Sequence, residues 1–443
     1  AGTLSGGSNR LNVSGAATLQ DGALVDAQIG SGTLDSSGAV AIHQVVTATT
    51  LNVNGGTLTL ASADLLPGNA AINVASTATL LANGNDNVGA LTLAGTLGGS
   101  GTLTASSLQA NGSAATLLAN LEIDGAGNAT VGNGGRLTVG TGGAISFGSG
   151  EYRLGNGSEL AFTRGGNFAL GDVVGSSGGI LTHGGSGTLT FNGTATDVAT
   201  LRVNGGGTLA MEGTAPDLAS LDLSSNSSLV LGDGNGSRLR NAVNVSVATG
   251  SSLVTGSSPE TVGSLSLGGT LGGASTLQAG TYTLQTGGLV NTPLGTGTLV
   301  VSGNSTLNSA SAATVVNINS GTLTLTGGAL DAAAELTVLN SGGLSLSNPQ
   351  TVQTLALGGT LSGGNLRLTV TGAASLQDGA VVNAEIGSSA LASTGATAIN
   401  QLVTATTLNV NSGTLTLGGA NLLPAGVTLN VASAGALTTG GDQ

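Results

Sequence analysis

Short runs in which apolar and polar residues alternate fill most of the chain. Residues 51–54 read LNVN, residues 57–60 read TLTL and residues 201–204 read LRVN. A period of two places Leu and Val on one face of a strand and Thr, Asn and Ser on the other, which is the pattern of a half-buried β-strand. The pattern therefore predicts many short strands, each with one buried face.

Glycine-rich turns separate these runs. Clusters such as GG, NGG, SGG and DG lie between the alternating segments and are typical of turns. An Ala-rich stretch at 331–336 is the one candidate helix, and it is too short to be stable alone. We therefore expect an all-β chain.

The chain repeats itself over a long distance. Residues 3–15 read TLSGGSNRLNVSG and residues 360–372 read TLSGGNLRLTVTG, at an offset of 357 residues (360 − 3). The same offset continues without a gap through the rest of the chain. We predict one continuous β-solenoid fragment over 1–443, in which 3–359 is a long module and 360–443 begins a second copy.

A shorter motif recurs inside the long module. It reads VGALTLAGTLGGSGTL at 88–103, VGSLSLGGTLGGASTL at 262–277 and VQTLALGGTLSGGNL at 352–366. Related GTLTL-like strings begin at Gly187 and Gly207, which lie 20 residues apart (207 − 187). That spacing is typical of one coil of a solenoid.

The near absence of aromatic residues selects among all-β folds. Aromatics make up 1% of the chain and Trp is absent, whereas Gly numbers 80 of 443 residues. The core of a β-sandwich is roughly 10 Å thick and needs large side chains to fill it. A parallel β-helix has a narrow lumen, which stacked Leu, Val, Ile and Ala fill. The sequence therefore predicts a parallel β-helix (β-solenoid) of roughly 20-residue coils.

Composition also excludes several classes of protein. The hydrophobic fraction of 39% argues against disorder, and the apolar runs are too short for a membrane-embedded protein. The net charge is −13 and all 8 basic residues are Arg, so no basic stripe for nucleic acid is present. With 0 Cys, neither disulfides nor thiolate metal sites form. No signal peptide opens the chain, so we expect a mature or internal piece of a longer protein.

The repeat strings resemble a known group of bacterial exoproteins. GALTLAGTLGGSGTLTA, TLNVNGGTLTL and GGRLTVGTGGAISF are similar to autotransporter passengers and to filamentous-haemagglutinin-like proteins exported by two-partner secretion. The resemblance implies a right-handed β-helix that passes an outer-membrane transporter and is displayed on the exterior of a Gram-negative cell. It also implies adhesion, including biofilm-matrix adhesion, with exopolysaccharide or a host-surface glycan or receptor as the partner. We therefore expect a rod or stalk segment of an adhesin.

One segment, 147–191, departs from the ordinary composition because it holds five of the six aromatic residues. One hypothesis is a surface that recognises exopolysaccharide or host glycan, in which Arg and carboxylate groups bind hydroxyls and Tyr stacks on a sugar ring. The alternative is an aromatic stack inside the lumen with ordinary surface charges. The candidate ligand-binding residues are Glu151, Tyr152, Arg153, Glu159, Phe162 and Arg164.

Other chemistries have weaker support, and we expect no enzyme activity, metal or cofactor. The turns at 84–87 and 232–236 lack the Ca²⁺-binding nonapeptide pattern and are explained as turns. His43 becomes Asn400 in the second copy, and the carboxylates of a polysaccharide-degrading β-helix would cluster in one groove. An ice-binding solenoid would need TxT triplets in every coil, whereas they occur only at intervals. Both remain remote alternatives.

Overall fold

The structure, a computed structural model, describes residues 2–233 and 236–443. Within those residues every regular element is a β-strand, and no helix occurs. Parallel pairing stacks each strand on one about 19 residues away, so the chain winds as a β-solenoid of about 23 turns. The predicted fold class and coil length are confirmed.

The chain divides into two compact units, Ala1–Ser220 and Leu221–Gln443. The predicted duplication boundary, between residues 359 and 360, falls inside the second unit. The strands up to the end of the first unit are β1 Gly2–Asn12, β2 Ala16–Leu19, β3 Ala23–Gly30, β4 Thr33–Ile42, β5 Thr50–Leu60, β6 Ala71–Val74, β7 Ala78–Ala82, β8 Asp86–Leu93, β9 Thr96–Gly98, β10 Thr102–Ala110, β11 Ala115–Leu117, β12 Asn120–Ile123, β13 Ala129–Val131, β14 Arg136–Val139, β15 Ala144–Phe147, β16 Tyr152–Leu154, β17 Glu159–Phe162, β18 Phe168–Leu170, β19 Val173–His183, β20 Thr188–Phe191, β21 Ala195–Val203 and β22 Thr208–Met211.

The remaining strands begin at the boundary. They are β23 Ser220–Leu223, β24 Ser228–Leu231, β25 Asn244–Val247, β26 Ser252–Thr255, β27 Glu260–Leu267, β28 Thr270–Gly273, β29 Leu277–Leu284, β30 Leu289–Val290, β31 Thr298–Val301, β32 Ser305–Leu307, β33 Val315–Ile318, β34 Gly321–Leu325, β35 Glu335–Val338, β36 Gly342–Leu346, β37 Gln350–Val352, β38 Thr354–Leu357, β39 Thr360–Val370, β40 Ala374–Leu376, β41 Val381–Thr394, β42 Thr397–Ile399, β43 Val403–Leu417, β44 Thr428–Val431 and β45 Gly435–Thr439. The Ala-rich stretch at 331–336 forms a turn and the start of β35 rather than a helix.

Stacked aliphatic side chains form the core of each unit. In the first unit Leu51 of β5 lies above Ile72 of β6, which in turn lies above Leu91 of β8, and all three are fully buried. Burying one such side chain contributes about 1.5–3 kcal/mol, and every coil repeats the contact. Stability in this architecture therefore accumulates from contacts between adjacent coils.

Polar ladders follow the outward faces of the same strands. The amide of Asn52 donates to Asp35 at 2.8 Å, and the amide of Asn73 donates to Asn52 at 2.8 Å. In the second copy Asn430 donates to Asn409 at 2.8 Å, which are the positions of Asn73 and Asn52 shifted by 357. Outward amides thus add hydrogen bonds along the stack, as side-chain ladders do in cross-β assemblies.

Equivalent positions of the duplicated sequence share unusual backbone geometry. Asp64 and Asn421 both lie in the left-handed region, with φ of 55° and 56°. Arg10 binds the hydroxyl of Thr47, and Arg367 makes the same contact with Thr404. The two stretches of sequence therefore form the same local structure in their separate units.

Candidate functional site

The aromatic segment runs from the end of β15 to the end of β20 in the first unit, and its candidate residues lie on or beside β16 and β17. Tyr152 in β16 pairs with Ala129 of the coil before it and with Val173 of the coil after it. Phe162 in β17 pairs in the same way with Val139 and His183. Tyr152 has the same parity as the buried Leu154, and Phe162 the same parity as the buried Leu160, so strand alternation turns both rings inward.

Four aromatic rings form a continuous row, in which Tyr152 and Phe162 are buried and Phe147 and Phe168, at the two ends, are half-buried. Tyr152 is 6% exposed and Phe162 is 2% exposed. Ring centroids are 4.8 Å apart for Phe147 and Tyr152, 6.0 Å for Tyr152 and Phe162, and 4.9 Å for Phe162 and Phe168. Edge-on and tilted geometries of this kind stabilise aromatic pairs. The lumen alternative therefore describes these two candidate residues, whose ring faces do not meet solvent.

Three of the charged candidates, Glu151, Arg153 and Glu159, lie outside in two separate ion pairs. Arg153 of β16 contacts Glu151 at 2.7 Å, and Arg136 of β14 contacts Glu159 of β17 at 3.3 Å. Thr182 of the following coil donates its hydroxyl to Glu159 at 2.7 Å. Glu151 and Arg153 thus belong to the β13–β16 ladder, whereas Glu159 belongs to the β14–β17 ladder.

Arg164 behaves differently from the other two arginines of this region. It follows β17 and bends back, so that Nη1 donates to the carbonyl of Gly143 at 2.8 Å. The guanidinium carbon lies 5.0 Å from the centroid of the Phe168 ring, which is a cation–π contact. Its Nε is buried and has no hydrogen-bond partner within the part of the chain that the structure describes.

A small cavity of about 100 Å³ lies beside Arg164 and the aromatic rings. Aromatic and aliphatic side chains form most of its surface, and Arg164 supplies the charge. The lining residues are Val139, Ala144, Ile145, Tyr152, Phe162, Arg164, Phe168 and Ala169. Among the six candidates the cavity brings together Tyr152, Phe162 and Arg164, and it leaves Glu151, Arg153 and Glu159 on the outer surface.

Burial keeps the titratable groups of the row neutral. It raises the pKa of the Tyr152 phenol, and the nearby charge of Arg164 opposes this shift only in part. It lowers the pKa of His183, although the contact of Nε2 with the carbonyl of Gly187 at 3.0 Å acts in the opposite direction. At neutral pH the row therefore contains a phenol and a neutral imidazole, and Arg164 is the charged group beside it.

The turns considered for Ca²⁺ have other roles where they can be described. Asn85 accepts a hydrogen bond from the amide of Thr102 at 2.9 Å, and Asp86 is buried. In the second turn Gly234 and Asn235 lie outside the described residues. Among residues 2–233 and 236–443 no group of three or more His, Asp or Glu side chains has the arrangement of a metal site. The same residues contain no helix long and apolar enough to cross a membrane.

The Thr pairs considered for ice binding do not stack on one another. Thr57 and Thr59 pair with Ala39 and Ala41 on one side. On the other side Thr57 pairs with Thr79, but Thr59 pairs with Leu81, so only one residue of the pair stacks on another Thr. In the second unit the pair of Thr322 and Thr324 similarly meets Gly343 and Ser345.

The alternating pattern of apolar and polar residues did not predict three buried polar residues, which lie two positions before the first Val of each copy of the short motif. Asp86 accepts from the amides of Leu65 at 2.7 Å and Leu66 at 3.1 Å, in the corner of the preceding coil. Glu260 and Gln350 occupy the same motif position and accept from the amides of Leu239 at 2.7 Å and Leu330 at 2.9 Å. The sequence did contain a signal, because all three copies of the motif are preceded by an acid or an amide two residues before its Val.

No protein-family model, no curated protein and no solved structure matches this chain.

Proposed function

We propose that this chain is a rod or stalk segment of a secreted or cell-surface bacterial adhesin that mediates attachment or aggregation of cells and matrix. The observation that supports it is the parallel stacking of adjacent coils within each unit. Every inner coil is hydrogen-bonded on both sides, and stacking contacts rather than disulfides hold the unit together. Such a stack resists extension and proteolysis, which are the properties that a stalk needs.

The long internal repeat agrees with this proposal. A duplicated module adds coils without a new fold, because each coil contacts only its neighbours. Copying therefore lengthens a stalk and leaves its local structure unchanged, as the matching conformations of Asp64 and Asn421 illustrate. Exopolysaccharide or a host-surface glycan would be the partner outside a Gram-negative cell.

A surface-display experiment tests the stalk function. The chain is inserted between an outer-membrane anchor and a binding domain of known specificity, on cells that carry a thick capsule. A flexible Gly/Ser linker of equal length is the control, since it behaves as a compact random coil. We expect the inserted chain to restore binding to a ligand-coated surface, and equal binding with the flexible linker would contradict the proposal.

A second candidate function is carbohydrate binding at 147–191, and the cavity beside Arg164 favours it. The test replaces residues 136–179, which form the two turns that begin with β14, by residues 298–334, which form the two turns that begin with β31. If the chain is only a stalk, the exchanged chain keeps its adhesive function. If residues 147–191 bind carbohydrate, the exchanged chain is no longer retained on a panel of immobilised polysaccharides. Far-UV circular dichroism confirms that the exchanged chain remains rich in β-structure.

A further inference from the structure

We propose that the cavity beside Arg164 binds a carboxylate group carried by an acidic saccharide, an inference that rests on the carbohydrate-binding function above. The site is the space enclosed by Tyr152, Phe162, Phe168 and Arg164 between adjacent coils of the first unit. The sequence hypothesis placed the sugar on an exposed tyrosine ring. In the proposed site the ligand's carboxylate instead occupies the cavity beside Arg164.

The charges of this region leave one cation without a carboxylate. Glu151 is paired with Arg153, and Glu159 is paired with Arg136. Within the described residues Arg164 contacts a backbone carbonyl and the Phe168 ring but no acidic side chain. A buried or partly buried cation is costly unless an anion or several acceptors compensate it. The geometry therefore favours an anionic ligand.

One side chain that lines the cavity has a polar group without a partner in the described chain. The Nε of Arg164 is buried and unsatisfied. Buried polar groups in native proteins nearly always have partners. An oxygen acceptor of a ligand beside Arg164 would accept the hydrogen bond that this Nε–H lacks.

The small volume of the cavity and its largely apolar lining restrict which anionic groups it can hold. A cavity of about 100 Å³ holds only a few heavy atoms. Ala144, Ile145 and Val139 offer contacts to a short hydrocarbon portion and none to a further hydroxyl. A carboxylate with one or two attached carbons meets both requirements, and Arg pairs with carboxylates through strong, charge-assisted hydrogen bonds. On a saccharide this group is the carboxylate of a uronic acid or of a carboxylated substituent.

Tyrosine fluorescence provides a direct readout of the site. The chain has 2 Tyr and no Trp, so Tyr282→Phe leaves Tyr152 as the sole strong fluorophore. In that background acetate and pyruvate are titrated at constant ionic strength, with acetamide as the neutral analogue. We expect saturable quenching by the two carboxylates and little by acetamide. Equal effects of acetate and acetamide would overturn the assignment of a carboxylate.

Two arginine variants with the same change in net charge test the role of Arg164. Arg164→Gln is expected to weaken acetate binding at least about tenfold, because it removes the charge-assisted hydrogen bonds. Arg153→Gln, on the outer surface of the same segment, is expected to leave binding unchanged. A third variant, Val139→Leu, enlarges a buried side chain that lines the cavity without altering charge, and it is expected to weaken binding. Matching circular dichroism and thermal midpoints exclude loss of folding, and equal binding by all three variants would refute the site.

Immobilised polymers distinguish a free carboxylate from a saccharide. Polygalacturonate is expected to retain the intact chain and Arg153→Gln but not Arg164→Gln, and neutral dextran is expected to retain none. Binding of acetate without retention on polygalacturonate would overturn the saccharide part of the proposal alone. Retention that survives Arg164→Gln would contradict the cavity and leave carbohydrate binding elsewhere on the chain intact.

Discussion

Asp86 places a carboxyl group inside a coil of the first unit. One oxygen accepts the amides of Leu65 and Leu66, and the other is buried without a partner among the described residues. Desolvation raises the pKa of Asp86 above its ordinary 3.8, the two amides oppose the shift, and nearby Asp64 adds to it. Between pH 3.8 and the raised pKa, the unfolded chain is mostly ionised at this position while the folded chain mostly retains the proton.

Stability should therefore fall as the pH rises through the window between 3.8 and the raised pKa of Asp86. The sign follows because folding takes up a proton there, so that higher pH favours the unfolded chain. Asp86→Asn is expected to remove this component from a series of urea unfolding curves at increasing pH. Asp124→Asn, in an exposed turn, should instead follow the parent. A parallel pH dependence of Asp86→Asn and the parent would contradict the assignment.

A buried hydroxyl pair differs between the two copies of the module. In the second copy Ser393 and Thr397 share a hydrogen bond of 2.7 Å inside the coil. In the first copy the equivalent residues are Ser36 and Val40, and the hydroxyl of Ser36 has no partner within the described residues. An unsatisfied buried hydroxyl costs roughly 1–3 kcal/mol.

Val40→Thr is accordingly expected to stabilise the chain by about 1 kcal/mol, since it supplies the missing partner. Thr397→Val, the reverse change in the second copy, should destabilise it by a similar amount. Urea unfolding midpoints measure both changes. A destabilising Val40→Thr together with a neutral Thr397→Val would show that the pair has no favourable interaction.

At the scale of a single strand, glycine allows β4 and β5 to approach closely. Gly56 has a φ of +68°, and a Cβ at this position would overlap the carbonyl of Gly38 in the coil before it. The neighbouring Gly55 has no such constraint, and the second copy has Ser412 there. Only one glycine of the pair is therefore required by the backbone.

Gly56→Ala is expected to destabilise the first unit by about 1–3 kcal/mol, through backbone strain and overlap with Gly38. Gly55→Ser is the matched control and should shift the thermal midpoint little. The comparison separates the positive φ of one residue from the general effect of adding a side chain to this turn. Equal midpoints for the two variants would contradict it.

Strand alternation explains why so much of the element structure was predictable. Leu51 and Val53 point inward as the LNVN pattern requires, and the parity of Tyr152 with Leu154 would have placed the Tyr152 ring inside as well. The position of Arg164 was not predictable, since it depends on a turn that brings its side chain to Gly143 and Phe168. Alternation specifies which face a residue occupies, whereas the cavity arises from side chains of several strands.

At the scale of the whole molecule, pairs of residues change together between the copies. Oδ1 of Asp26 and Nδ1 of His43 lie 3.2 Å apart on the surface of the first unit. Their equivalents, Asn383 and Asn400, are joined by an amide hydrogen bond of 2.8 Å. The contact between the two coils is kept although its chemistry changes, so each copy carries a matched set of partners.

A block exchange follows from this matching. Replacing residues 19–60 by residues 376–417 moves both surface partners and both buried hydroxyl partners at once, in a stretch where the two copies share one register of coils. We expect the chimera to keep its β-sheet circular dichroism and to unfold within about 1 kcal/mol of the parent, because exposed pairs contribute little and the Ser–Thr pair adds stability. Exchanging only 19–38 separates Asn383 from Asn400 and Ser393 from Thr397, so this half-block chimera should be the less stable of the two in urea. Loss of β-structure in the full-block chimera would show instead that each copy depends on residues outside its own module.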